Sequence, residues 1–359
     1  MAFRKGFPLL LVSVALTLLT LEGATRVLFP WFFGRPVLQE HYDTRSRLEQ
    51  TGSLKEPGVF RILILGDSVS FGWGVAREET FGAVLERELN ATRGPVRFEV
   101  VNTGRPMVNT TYELGVLLGL PLEALDGVES GAVGIAALLA APAPGPETGG
   151  LPFDPDLILL QFEAGNDAYA VEDQQEDNRH FFFPDGGFRY FHGDYALPLP
   201  EGVERWLTEH SRLYLVALAG YHTALTKLGL RDDEGRINRL YQPEAAGWVA
   251  SKAALRRISE ISRSAQIPVA LAITGPGGPQ AGLGRRFGDI YRTVETCARE
   301  EGFRVLNLMT SIPWPRRSLT VSLVDPHPNA QAHAAMGRAL ARFFVAAELV
   351  PDGGRHLEQ

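Results

Sequence analysis

The sequence predicts an α/β protein with a mainly parallel sheet, and three observations carry that reading. Short apolar runs recur along the chain, each closed by glycine or by polar residues. Amphipathic helical patterns stand between several of them, and strands alternating with helices build parallel sheets covered on both faces. The 359 residues are 45% hydrophobic and 21% charged, an ordinary composition for one large domain with insertions or for two smaller ones.

The first strand is read from Phe60 to Leu65, an isoleucine- and leucine-rich run closed by Gly66. An internal parallel strand has this pattern. A helix follows, because Phe81, Val84, Leu85 and Leu89 share one face. VRFEVVNTG, Val96 to Gly104, reads as a second strand ending in a glycine turn. DLILLQFEAGND, Asp156 to Asp167, is a third with a polar carboxyl end. Ile267 to Gly275 and Phe303 to Leu308 supply the fourth and fifth. Helical patterns cover Trp248 to Ala265 and Arg285 to Glu301.

Two stretches break the rhythm. Ala141 to Gly150 is a Pro/Gly loop. The insert at about 168–247 is rich in aromatics, carries a PDGG hairpin signal at 184–187 and predicts a helix around Trp206 to Leu228. It either shapes a substrate pocket or packs as a subdomain. His180, His192, His210 and His222 within it read as surface or packing residues, and Trp206 and Phe181 to Phe183 as core.

The N-terminus carries a targeting pattern. Arg4 and Lys5 precede an uncharged, largely apolar run from Phe7 to Leu21, the order of an export signal. A small-x-small cleavage site is missing, since Glu22 stands two before Ala24. An uncleaved membrane anchor is therefore preferred to a cleaved peptide, with the body extracytoplasmic, periplasmic or at the cell surface. The expected organisation is an export segment at 1–33, a linker at 34–58, a body at 59–349 and a polar tail at 350–359. The net charge of −7 carries no basic stripe, which sets nucleic-acid binding aside. Cys297 is the only cysteine, so no internal disulfide or cysteine-based zinc site is available.

Ser68 falls just past the first strand, at the sheet edge where open α/β folds bind ligands. Gly104 and Asn166 stand at two further strand ends, and Asp325 and His327 lie in a Pro-bounded turn before the last helix. A hydroxyl, an imidazole and oxyanion donors are what serine-based hydrolysis needs. The α/β-hydrolase elbow G-x-S-x-G does not fit, because Ser70 occupies the place of its last glycine.

GDS at 66–68, NTG at 102–104, GND at 165–167 and DPHPN at 325–329 resemble, in order, the four blocks of the SGNH (GDSL-type) hydrolases. The resemblance spans about Arg61 to Phe344. It implies a three-layer α/β/α fold with a flavodoxin-like sheet of about five strands. It implies Ser68 as nucleophile and His327 as general base and then acid. The oxyanion donors would be the backbone N–H of Ser68 and of Gly104 and the amide of Asn166. No cofactor or metal is expected. The substrate would be a short-chain acyl ester, small-molecule or an O-acetylated envelope glycan, with water or another hydroxyl as acceptor.

One departure stands out. The family's aspartate lies three residues before the histidine, and that position is Val324. Asp325 lies two before and is expected to orient the imidazole, the alternative being a Ser–His pair oriented by a backbone carbonyl. The departure leaves room for a second reading, a non-catalytic envelope binding or assembly module. His333, six residues after His327, fits no zinc spacing and is expected to pack or hydrogen-bond near the start of the last helix. Asp167 reads as structural.

Overall fold

The computed structural model describes residues 3–33, 55–91, 94, 96–106, 108–129, 132–145, 150–169, 199–228, 233–275, 287–315, 319–321 and 327–351. The strands are β1 (Val59–Leu65), β2 (Arg97–Asn102), β3 (Leu157–Glu163), β4 (Val269–Thr274) and β5 (Arg304–Asn307). The helices, in chain order, are α1 (Phe3–Phe33), α2 (Ser68–Phe71), α3 (Phe81–Ala91), α4 (Thr110–Leu117), α5 (Leu122–Glu129), α6 (Ile135–Ala140), α7 (Glu201–His210), α8 (Arg212–Lys227), α9 (Asp233–Leu240), α10 (Ala246–Ser264), α11 (Gly288–Glu300), α12 (Leu308–Ser311) and α13 (Ala330–Ala346). The chain divides into two compact units: the larger carries the sheet, the smaller is built of α1, α7 and α8.

In the larger unit all five strands run parallel in the order β2-β1-β3-β4-β5. Each expected strand is present. Their apolar runs are continuous because both faces are covered. Alternate residues divide between two cores, as the two-residue period of a strand dictates. Leu63, Leu65, Ile158, Leu160 and Leu271 pack under α4, α5, α6, α10 and α11. Ile62, Ile64, Leu157, Leu159 and Ala270 pack under α3, α12 and α13. The result is the expected three-layer α/β/α sandwich. Its strand order reverses between β1 and β3, the crevice where such sheets bind ligands.

In the smaller unit the single helix expected around 206–228 is two helices, α7 and α8, broken at Ser211. Ser211 caps α8, its hydroxyl oxygen accepting the Tyr214 N–H at 3.0 Å. Glu22 of α1 completes the cap, accepting the Ser211 hydroxyl at 2.8 Å and the Arg212 and Leu213 N–H groups at 3.0 Å. A carboxylate at a helix N-terminus satisfies donors that have no partner within the helix. Trp206, expected in a core, is instead 58% exposed and stacks on His210 at the end of the same helix. Val12, Leu16, Leu19 and Val27 of α1 are exposed. No helix among the described residues is long and apolar enough to cross a membrane. Residues 34–54 of the expected linker, residues 170–198 with the PDGG turn, Phe181 to Phe183, His180 and His192, and residues 352–359 of the tail lie outside the described residues.

Candidate active site

The site is assembled where β1 ends. Gly66 leaves the strand, and a Cβ there would meet Ser70 Oγ at 2.2 Å and Gln161 Oε1 at 2.7 Å. The glycine is required by this close approach; its φ is not positive. Asp67 then caps the turn α2, accepting the Val69 N–H at 2.8 Å. The Ser70 N–H goes to Gln161 Oε1 and the Phe71 N–H to the Asp67 carbonyl. Of the N–H groups that a helical turn leaves without internal partners, only that of Ser68 has no partner among the described residues. Gly72, at φ 83°, closes the turn in the left-handed region.

Ser68 is half-buried, and its Oγ lies 2.9 Å from His327 Nε2. The histidine is held from three sides. Its carbonyl accepts the Val321 N–H at 2.8 Å, Pro328 bridges to Thr320, and Asn329 caps α13 through the Gln331 and Ala332 N–H groups. The Trp73 ring stands 5.9 Å from the imidazole, centroid to centroid. A hydroxyl at hydrogen-bond distance from an imidazole nitrogen is the geometry of an activated nucleophile.

Asn166 arrives from the turn after β3, which is closed by Asn166 and Asp167 N–H groups donating to the Glu163 carbonyl. Its Nδ2 donates to Asp67 Oδ2 at 2.9 Å. An amide nitrogen carries two hydrogens, so a second remains for a ligand. Ser68, Asn166 and His327 therefore lie at one place, around the end of β1.

The Gly104 N–H, expected as an oxyanion donor, is engaged within the protein in this structure. It donates to Asn102 Oδ1 at 2.9 Å, and a Cβ on the glycine would meet the Phe71 backbone nitrogen at 2.4 Å. It is a close-packing glycine under the Ser68 turn, with its donor already engaged. Asn102 reaches back to that turn, its Nδ2 donating to the Ser70 carbonyl at 2.6 Å. Asp325 and Val324 lie outside the described residues.

Two supporting residues escaped the sequence reading. Gln161, fully buried on β3, accepts the Ser70 hydroxyl at 2.8 Å and donates to Thr274 Oγ1 at 2.9 Å. It ties the Ser68 turn to β3 and β4. A lone polar residue inside the apolar run LILLQFE was its signal. Asp67, also fully buried, joins the Ser68 turn to Asn166.

The electrostatics behind the site are acidic. Burial pushes the Asp67 carboxyl up, while its hydrogen bonds and the nearby His327 pull it down. Burial and the charge of Asp67 raise Glu163 to about 8. Glu113 on α4 is 1% exposed, and neither carboxyl oxygen has a hydrogen-bond partner among the described residues. Burial first, then Asp67, holds it well above the carboxylate range. Asp167 is raised by burial and by Glu113. It is structural, accepting the Glu163 N–H on Oδ2 and the Ser251 hydroxyl on its carbonyl. His333 packs as expected: its Nδ1 accepts the Phe81 N–H at 3.1 Å, and its ring stacks on Phe81. Among the described residues no group of three or more His, Cys, Asp or Glu side chains could hold a metal ion.

No protein-family model matches this sequence, and no curated protein does. Solved structures with a similar course of chain include a lipase/acylhydrolase from Enterococcus faecalis. It is 13% identical with a TM-score of 0.39, covering 82% of this chain and 98% of that one. A lipase from a goat rumen metagenome is 14% identical with a TM-score of 0.40, covering 79% and 97%. A psychrotrophic esterase from Pseudoalteromonas is 13% identical with a TM-score of 0.37, covering 80% and 98%.

Proposed function

We propose that this chain is a serine ester hydrolase of the SGNH type. The observation that carries the reading is the 2.9 Å contact between Ser68 Oγ and His327 Nε2 at the switch point of a parallel sheet. In the reaction, His327 Nε2 takes the Ser68 proton as Oγ bonds to the ester carbonyl carbon. The negative charge that moves onto the carbonyl oxygen is met by the Ser68 N–H and the second hydrogen of Asn166 Nδ2. Collapse breaks the bond to the alcohol, which leaves with the proton from the imidazolium. The acyl-enzyme is then resolved by water, activated by the same imidazole, or by another hydroxyl, which would make the enzyme an acyltransferase. The substrate class is a short-chain acyl ester, either a small molecule or an O-acetylated envelope glycan. The basic-then-apolar start and the exposed apolar side chains of α1 support an extracytoplasmic body held at the membrane.

Treating the full-length protein in detergent with a fluorophosphonate tests the chemistry. Peptide mapping is expected to place the adduct on Ser68, and Ser68→Ala and His327→Ala to abolish it. A folded protein that forms no adduct would overturn serine catalysis and favour the envelope binding module. For the location, the protein is expected to stay in the membrane pellet through an alkaline carbonate wash; release into the wash would remove the anchor.

A further inference from the structure

We infer that Asp67 is the positioning residue of the oxyanion site, holding the carboxamide of Asn166 and the turn that presents Ser68 with one side chain. The inference rests on the serine-hydrolase reading above. Asp67 is 0% exposed; one carboxyl oxygen accepts the Val69 N–H at 2.8 Å and the other accepts Asn166 Nδ2 at 2.9 Å. The two donors of the oxyanion thus lie on different loops, after β1 and after β3, and this carboxylate joins them. Both of its oxygens accept N–H hydrogens, one from Val69 and one from Asn166. The carboxylate therefore fixes which end of the Asn166 amide faces it, and the planarity of the amide fixes where the second hydrogen points. The Asn166 Oδ1, turned the other way, has no partner among the described residues. Asp67, and not that oxygen's surroundings, sets the orientation.

Asp67→Asn keeps an acceptor for the Val69 N–H but presents an NH2 group to Asn166. The amide must then flip and withdraw its donor from the oxyanion. Asp67→Ser keeps the cap but falls short of Asn166. Both variants, in the full-length protein, are expected to slow Ser68 labelling by fluorophosphonate about a hundredfold, the scale of one lost oxyanion donor. Turnover of an aryl acetate ester should fall equally in kcat, with KM little changed. In an Asn166→Ala background Asp67→Asn should change the labelling rate less than twofold, because residues acting through one another are not additive. A full further loss in that background would overturn the inference, as would wild-type rates in both variants or unfolding of both. Absence of Ser68 labelling in the wild type would instead overturn the serine-hydrolase reading, and this inference with it.

Discussion

Ser68, Asn166 and His327 could be found from sequence because each is a polar residue at the end of an apolar strand or in a Pro-bounded turn. Their partners could not. Asp67 and Gln161 act through side-chain contacts to residues 99 and 91 positions away, which no local pattern encodes. Gly104 shows the opposite limit. A glycine at a strand end is easy to see, but whether it donates to a ligand or makes room for backbone depends on what crosses it. Here the Phe71 nitrogen does. We expect Asn166→Ala to lower kcat by roughly 10²–10³, about 3–4 kcal/mol of transition-state stabilisation, while the melting temperature changes little. An unchanged kcat would take Asn166 out of the oxyanion site. Gly104→Ala should behave differently. With a Cβ 2.4 Å from a backbone atom, it should lower thermal stability and activity together, whereas a variant with normal stability and lost turnover would restore Gly104 to the chemistry.

At the level of elements, long apolar periodicity was legible and short turns were not. α3 was readable from Phe81, Val84, Leu85 and Leu89, all buried, and the five strands from their apolar runs. The four-residue α2 was not, since it is made by the Asp67 cap and the Gln161 contact and not by a hydrophobic stripe. The break between α7 and α8 likewise depends on Glu22, 189 residues from Ser211. His333 links two elements, reaching from α13 to the first N–H of α3. Burial, and secondarily His327, lowers its pKa to about 3, below the ordinary 6.5. The folded state therefore binds fewer protons than the unfolded chain between those values. By linkage, stability is full above about pH 6.5 and falls as pH drops toward 3, by up to about 1.4 kcal/mol per unit. Urea denaturation from pH 7 to 5 should show that slope, and His333→Gln, which keeps an acceptor for Phe81, should reduce it. An identical slope in the variant would mean that His333 is solvated or that another group sets the acid limb.

Across the whole molecule, the α/β alternation foretold a layered parallel sheet, but the order β2-β1-β3-β4-β5 emerges only when long-range pairings form. The same assembly creates a property no local pattern announces. Asp67 from the end of β1 lies close enough to Glu113 from α4 and to Glu163 and Asp167 from the end of β3 for its charge to raise all three, and Glu113 and Glu163 raise Asp167 further. Buried and facing the charge of Asp67, Glu113, Glu163 and Asp167 resist ionisation. For Glu113 the folded-state pKa stands above the unfolded value, so the native state holds the extra proton once pH passes about 4.5. This contribution is fully present below the unfolded pKa and is lost as pH rises toward the folded one, opposite in sign to that of His333. Glu113→Gln removes the ionisation while keeping size and a polar end. Relative to wild type, the variant should carry a fixed offset near pH 4 and gain as pH rises through 5.5, 7 and 8, by up to about 1.4 kcal/mol per unit. Urea midpoints at those four pH values measure the difference directly. A difference independent of pH would show that Glu113 ionises as freely in the folded protein as in the unfolded chain, and that water or a cation reaches the carboxyls behind Ser68.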